Sequence, residues 1–97
     1  MTPDLRARFE PRAVRQSYSI LFLRPDDALD LIEAARQQAK PVLGIDAFVV
    51  TDTTVQPFLE HSIDYSIAPT SRSKSWSDAK QFIEQRRDLG FVFEIVV

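Results

Sequence analysis

Four apolar runs organise this chain, at residues 18–23, 42–51, 55–66 and 91–97, and each alternates along at least part of its length. A period of two buries one face of a strand and wets the other. Between the first two runs Pro25 opens a helical stretch, at a position where a missing N–H costs nothing. Asp26 and Asp27 suit the positive end of that helix. Ala28, Leu31, Ile32, Ala35 and Ala39 recur at helical spacing, and Pro41 ends the pattern. Asp52-Thr53-Thr54 is a short polar turn that joins the second and third runs into a hairpin. Pro57 suits an edge, a bulge or the start of a strand. Residues 67–74 are polar and read as a surface loop. Ser75 then reads as a helix cap, with Asp78 three residues on in a variant of the capping box. Ala79, Phe82, Ile83 and Leu89 form the buried stripe of that helix, and Gly90 is a left-handed stop.

The order strand, helix, strand, strand, helix, strand predicts an α+β fold. It is a single-domain two-layer sandwich of the βαββαβ ferredoxin-like type, with a mainly antiparallel four-stranded sheet and two helices on one face. Residues 17–97 make up this domain. Residues 1–16 form a basic polar arm, broken by Pro3 and Pro11 and weakly ordered at its start; Leu5, Phe9 and Val14 are available to pin it.

Strand parity then assigns the faces. Tyr18, Ile20 and Phe22 point to the helices, as do Phe91, Phe93 and Ile95. On the second strand Leu43, Ile45, Ala47 and Val49 go inward; on the third, Leu59, Ile63 and Tyr65 do. The open face then carries Ser17, Ser19, Leu21, Leu23, Asp46, Phe48, Glu60, Ser62, Asp64, Val92, Glu94 and Val96. Four carboxylates share it with apolar neighbours, the composition of a contact surface. Solvent alone also explains acids on a sheet face, and a bulge at Pro57 or Gly44 would shift the parity and turn an acid inward.

Composition narrows the chemistry. The chain has 97 residues, 44% of them hydrophobic, enough for one small core. Net charge is −2, so whole-molecule attraction to nucleic acid is not expected. Charge is uneven: Arg6, Arg8, Arg12 and Arg15 against Asp4 and Glu10 make residues 1–16 about +2, and the remainder about −4. Cysteine is absent, which excludes disulfides and thiol chemistry and fits a reducing cytoplasm. No run approaches the roughly 20 apolar residues of a membrane span, and no apolar stretch precedes Tyr18 to act as a secretory signal. Two glycines cannot build a phosphate-cradling loop. His61 is the lone histidine and shares its parity with Leu59 and Ile63, which favours a half-buried structural role. Ser62 points to the opposite face, so the two are badly placed as nucleophile and base. The four acids could bind a cation or form an acid–base pair, but no supporting motif accompanies them. No cofactor and no metal are expected. Trp76 either folds back on the core or offers a partner an aromatic anchor.

The stretches Asp27-Ala28-Leu29-Asp30-Leu31-Ile32, Val42-Leu43-Gly44-Ile45-Asp46-Ala47-Phe48, Leu59-Glu60-His61-Ser62-Ile63-Asp64-Tyr65-Ser66 and Ser75-Trp76-Ser77-Asp78-Ala79 occur in that order. Together they resemble small immunity proteins of bacterial polymorphic-toxin systems, over residues 25–97. The resemblance implies a cytoplasmic, non-enzymatic inhibitor that blocks a cognate toxin domain stoichiometrically. A basic nuclease would be steered by an acidic face. Asp46, Glu60, Asp64 and Glu94 would be the electrostatic contacts, with Phe48 and Trp76 as anchors. A different class also fits: a ferredoxin-like regulatory or small-ligand module that dimerises through its sheet. The chain is accordingly read as a monomer or a homodimer. A third, an acid-based hydrolase, would need the carboxylates to converge in a cleft.

Overall fold

The structure, a computed structural model, describes residues 2–17, 20–64 and 72–97. The expectations for Tyr18, Ser19, Tyr65 and Ser66 lie outside these residues. The chain opens with helix α1 (Pro3–Phe9), whose Thr2 cap accepts a long hydrogen bond (3.5 Å) from the Leu5 N–H. Leu5 and Phe9 lie four residues apart and so share one face; both are buried in the core. Weak order at the start is therefore corrected: these two side chains pin the segment. After one 3-10 turn, Arg12 reaches Asp27 and Asp30 on helix α2 (Pro25–Gln37), with Nε 2.7 Å from Asp27.

The remaining elements are strands β1 (Arg15–Ser17) and β2 (Ile20–Phe22), β3 (Gly44–Val50), β4 (Val55–Asp64), helix α3 (Arg72–Gln85) and β5 (Val92–Val96). The sheet has three strands in the order β4-β3-β5, all antiparallel, and β1 and β2 form a separate antiparallel pair. The four-stranded ferredoxin-like sheet with two helices is thus corrected. That pattern puts the first strand inside the sheet. Here the first strand pairs locally with residues assigned to the arm, a contact that closes only a short loop. It meets the main sheet at a single bridge, where Leu23 and Phe93 exchange backbone hydrogen bonds of 2.9 and 2.7 Å. The most apolar strand, β3, takes the centre instead.

Helices α2 and α3 cover one face of the sheet. Ala28, Leu31, Ile32, Ala79, Phe82 and Ile83 pack there against Ile45, Ala47, Phe93 and Ile95. Lys80 of α3 donates to Glu33 of α2 (2.7 Å); hydrogen bonds from Arg36 and then from Lys80 lower the Glu33 carboxyl to about 2. Helix α2 ends through Ala39 at φ 54°, a left-handed position where an L side chain is strained. Gly90 takes the left-handed position before β5, φ 81°, as expected.

Several facings differ from the alternation pattern. Leu21 and Leu23 enter the core, whereas Phe22, 2% exposed, is buried on the opposite side. The first run is apolar at both parities, so its pattern could not choose between them. Leu89 is 55% exposed because the helix gives way to a 3-10 turn at Arg87–Leu89, which rotates it off the stripe. Ser75 is not a cap: α3 begins three residues earlier. Its hydroxyl is buried on the helical stripe and accepts from the Val42 N–H at 3.3 Å. Among the described residues no helix is long and apolar enough to cross a membrane.

Candidate protein-binding face

The face of the sheet away from α2 and α3 is built on β3 and β5. Asp46 stands directly opposite Glu94, and Phe48 opposite Val92. Paired residues share a face, so both carboxylates project to the same side. Gly44 lies one step further along, flanked by Asp64 of β4 and Val96 of β5. Without a side chain at Gly44, the surface dips into a hollow of about 270 Å³ lined by Leu43, Gly44, Asp46, Ile63, Asp64 and Val96. A Cβ at Gly44 would stand 3.1 Å from the Ile63 carbonyl oxygen, which is a tight fit. Leu43 and Val96 are 42% and 39% exposed and supply apolar surface at the hollow's edge. Burial pushes the Glu94 carboxyl up, and Asp46 adds to the shift through its charge and a side-chain hydrogen bond. Three acids, Asp46, Asp64 and Glu94, are therefore gathered on one half of the face.

Glu60 is not among them. The β3–β4 register shifts between Ile45↔Ile63 and Ala47↔Phe58, so residues 59–62 bulge out opposite Asp46 alone. Ser62 repairs the broken ladder. Its hydroxyl accepts from the Ala47 N–H (3.3 Å) and donates to the Phe58 carbonyl (3.1 Å). The bulge reverses the expected parity. Leu59, expected inward, is 83% exposed, and Glu60 lines a groove of about 430 Å³ beside Asp78, Gln81 and Arg86 of α3 and its end. Pro57 itself pairs in register with Phe48, and the shift falls after it.

The other half of the open face is aromatic and aliphatic. Phe22 meets the Phe48 ring edge-on, centroids 4.9 Å apart, so the β1–β2 pair covers part of the surface that the two-helix expectation left bare. Continuing the Leu23↔Phe93 register by one residue sets Phe22 beside Glu94 and Arg24 beside Val92. The sequence pattern missed this packing; the only signal was a large aromatic at the parity not needed by the core.

Trp76 is committed to the fold. Its ring packs against the core and its indole N–H donates to the Lys40 carbonyl at 2.7 Å, which ties α3 to the end of α2. His61 is half-buried with its ring 4.8 Å from that of Phe91, and its Nδ1 accepts from Arg86 Nε at 3.2 Å. The same Arg86 guanidinium lies 3.7 Å over the Phe82 ring. With the Ser62 hydroxyl engaged in the bulge, His61 and Ser62 form no nucleophile–base pair. Among the described residues no three His, Asp or Glu side chains gather as metal ligands. Chemically the face offers negative charge, partly desolvated, beside exposed apolar area. No family model matches the chain, and no curated protein matches it.

Proposed function

We propose that the protein is a non-enzymatic inhibitor that binds a basic protein through the acidic half of its open sheet face. In the cytoplasm it would neutralise a cognate toxin domain, as the resemblance to immunity proteins implies. The observation that carries this reading is that Asp46 lines the Gly44 hollow together with Asp64 and stands directly opposite Glu94. Asp46 and Glu94, like charges directly opposite each other on adjacent strands, oppose folding, and a basic partner relieves that repulsion. Burial of Glu94 raises the gain from pairing it, because charges attract more strongly where water is excluded. Leu43 and Val96 supply apolar area for a desolvated centre, while the acids set the rate of encounter.

The test is to clone any toxin domain encoded beside this protein's gene and to follow its association with the protein by stopped flow at low salt. Asp46→Lys with Glu94→Lys is expected to slow the on-rate about tenfold or more. Glu60→Lys, on the α3 side of the bulge, changes it much less. Wild-type association by a folded double-reversal variant overturns the reading.

A further inference from the structure

A hollow of about 540 Å³ opens beyond the Phe22–Phe48 pair, at the opposite end of the open face from the acids. Val14, Val50 and Val92 contribute apolar walls, and Arg15 and Arg24 line it together. The two arginines come from different elements. Arg15 opens β1 and donates to the Thr51 carbonyl at 3.3 Å, which carries it across to the end of β3. Arg24 stands just before α2, beside Val92 by the Leu23↔Phe93 register. Among the described residues neither guanidinium has an ion-pair partner. This sets them apart from Arg12, Arg36 and Arg87, which are each paired with carboxylates. Asp52 also lines the hollow, so its net charge is modestly positive.

We infer that this hollow is a second binding site, for a carboxylate attached to a short branched apolar group. Planar guanidinium forks match a carboxylate bidentately. The valines take the apolar group, and Asp52 disfavours a dianion such as phosphate by repulsion. Free short-chain acids and the C-terminus of a peptide ending in valine share this chemistry. The site is separate from the acidic half and does not depend on the reading proposed for it.

The test is a two-dimensional NMR titration of the intact protein with isovalerate, with acetyl-glycyl-valine, with inorganic phosphate and with isoamyl alcohol. Isovalerate is expected to shift the Val50 and Val92 methyls and the Arg24 side-chain N–H, with a dissociation constant of about 1–10 mM for so small a ligand. Tighter binding of acetyl-glycyl-valine identifies a peptide terminus as the source; equal or weaker binding identifies the free acid. Arg24→Gln should weaken binding about tenfold, as loss of a charge-assisted hydrogen bond implies, without changing the urea midpoint. Lys40→Gln, a cation away from the hollow, should leave it unchanged. Arginine stays charged at every working pH, so binding should fall as the ligand's own carboxyl protonates. Absence of shifts with both carboxylates, equal binding of phosphate or the alcohol, or insensitivity to Arg24→Gln would overturn the assignment.

Discussion

The two faces of the sheet are made from the same strands but solve different problems. Under the helices, Ile45, Ala47, Phe93 and Ile95 meet α2 and α3 in a continuous apolar layer, with Phe93 fully enclosed. On the other side, Asp46 and Glu94 face each other across two strands, Phe48 leans on Phe22, and a hollow opens at Gly44. One face is optimised for burial. The other carries unfavourable features, a like-charge pair and exposed Leu43 and Val96, that stability alone would not select. Such local conflicts are expected where a surface serves binding.

The sharpest test of this contrast is truncation on each side. Phe93→Ala should cost about 4–5 kcal/mol in urea unfolding, at the upper end for an enclosed aromatic. Phe48→Ala, half-buried against Phe22, should cost about 1–2 kcal/mol, in proportion to the smaller apolar area removed from solvent. Equal losses would show that the open face is as much core as the covered one. A smaller effect addresses what separates Glu60 from the other acids. Ser62→Ala leaves the Ala47 N–H without its partner and should cost about 1–3 kcal/mol, with faster amide exchange at Ala47. A variant as stable and as protected as wild type would mean that the bulge does not need the hydroxyl.

The smallest effect probes the charge on the open face. The Glu94 carboxyl is raised in the folded state, mainly by burial and then by Asp46. The unfolded chain therefore releases this proton first as pH rises. Stability falls as pH climbs from the ordinary carboxylate range through the raised value, and the deficit persists at neutral pH. Glu94→Gln should thus be more stable than wild type at pH 7, with an advantage that shrinks as pH falls from the raised value through the usual carboxylate range. Paired urea curves across pH check this, and an advantage that grows on acidification would contradict it.

Legibility in the sequence followed the strength of the pattern. Helix α2 could be read from Pro25, two aspartates and a helical stripe, because each of these acts within one or two turns. The inward set Phe91, Phe93 and Ile95 and the outward pair Asp46 and Glu94 followed from parity, because β3 and β5 pair in register without interruption. Glu60 and Leu59 failed where residues 59–62 bulge, since an odd number of extra residues in one strand reverses the facing beyond them. The anticipated positions for a bulge were Pro57 and Gly44, and neither hosts it. Trp76 had two readings, and its indole hydrogen bond to Lys40 commits it to the core.

What the chain's own order of residues decided is the set of local elements and the facing of uninterrupted strands, because caps, helical spacing and pleat act over a few residues. What tertiary structure decided is which strand lies at the centre, where the first strand pairs, and which acids meet. Those outcomes depend on long-range pairing: a short β1–β2 ladder took the place of a fourth sheet strand, and Phe22 turned onto Phe48 instead of the helices. Residues far apart in sequence compete for the same hydrogen-bonding edges, and alternation within one run records nothing of that competition.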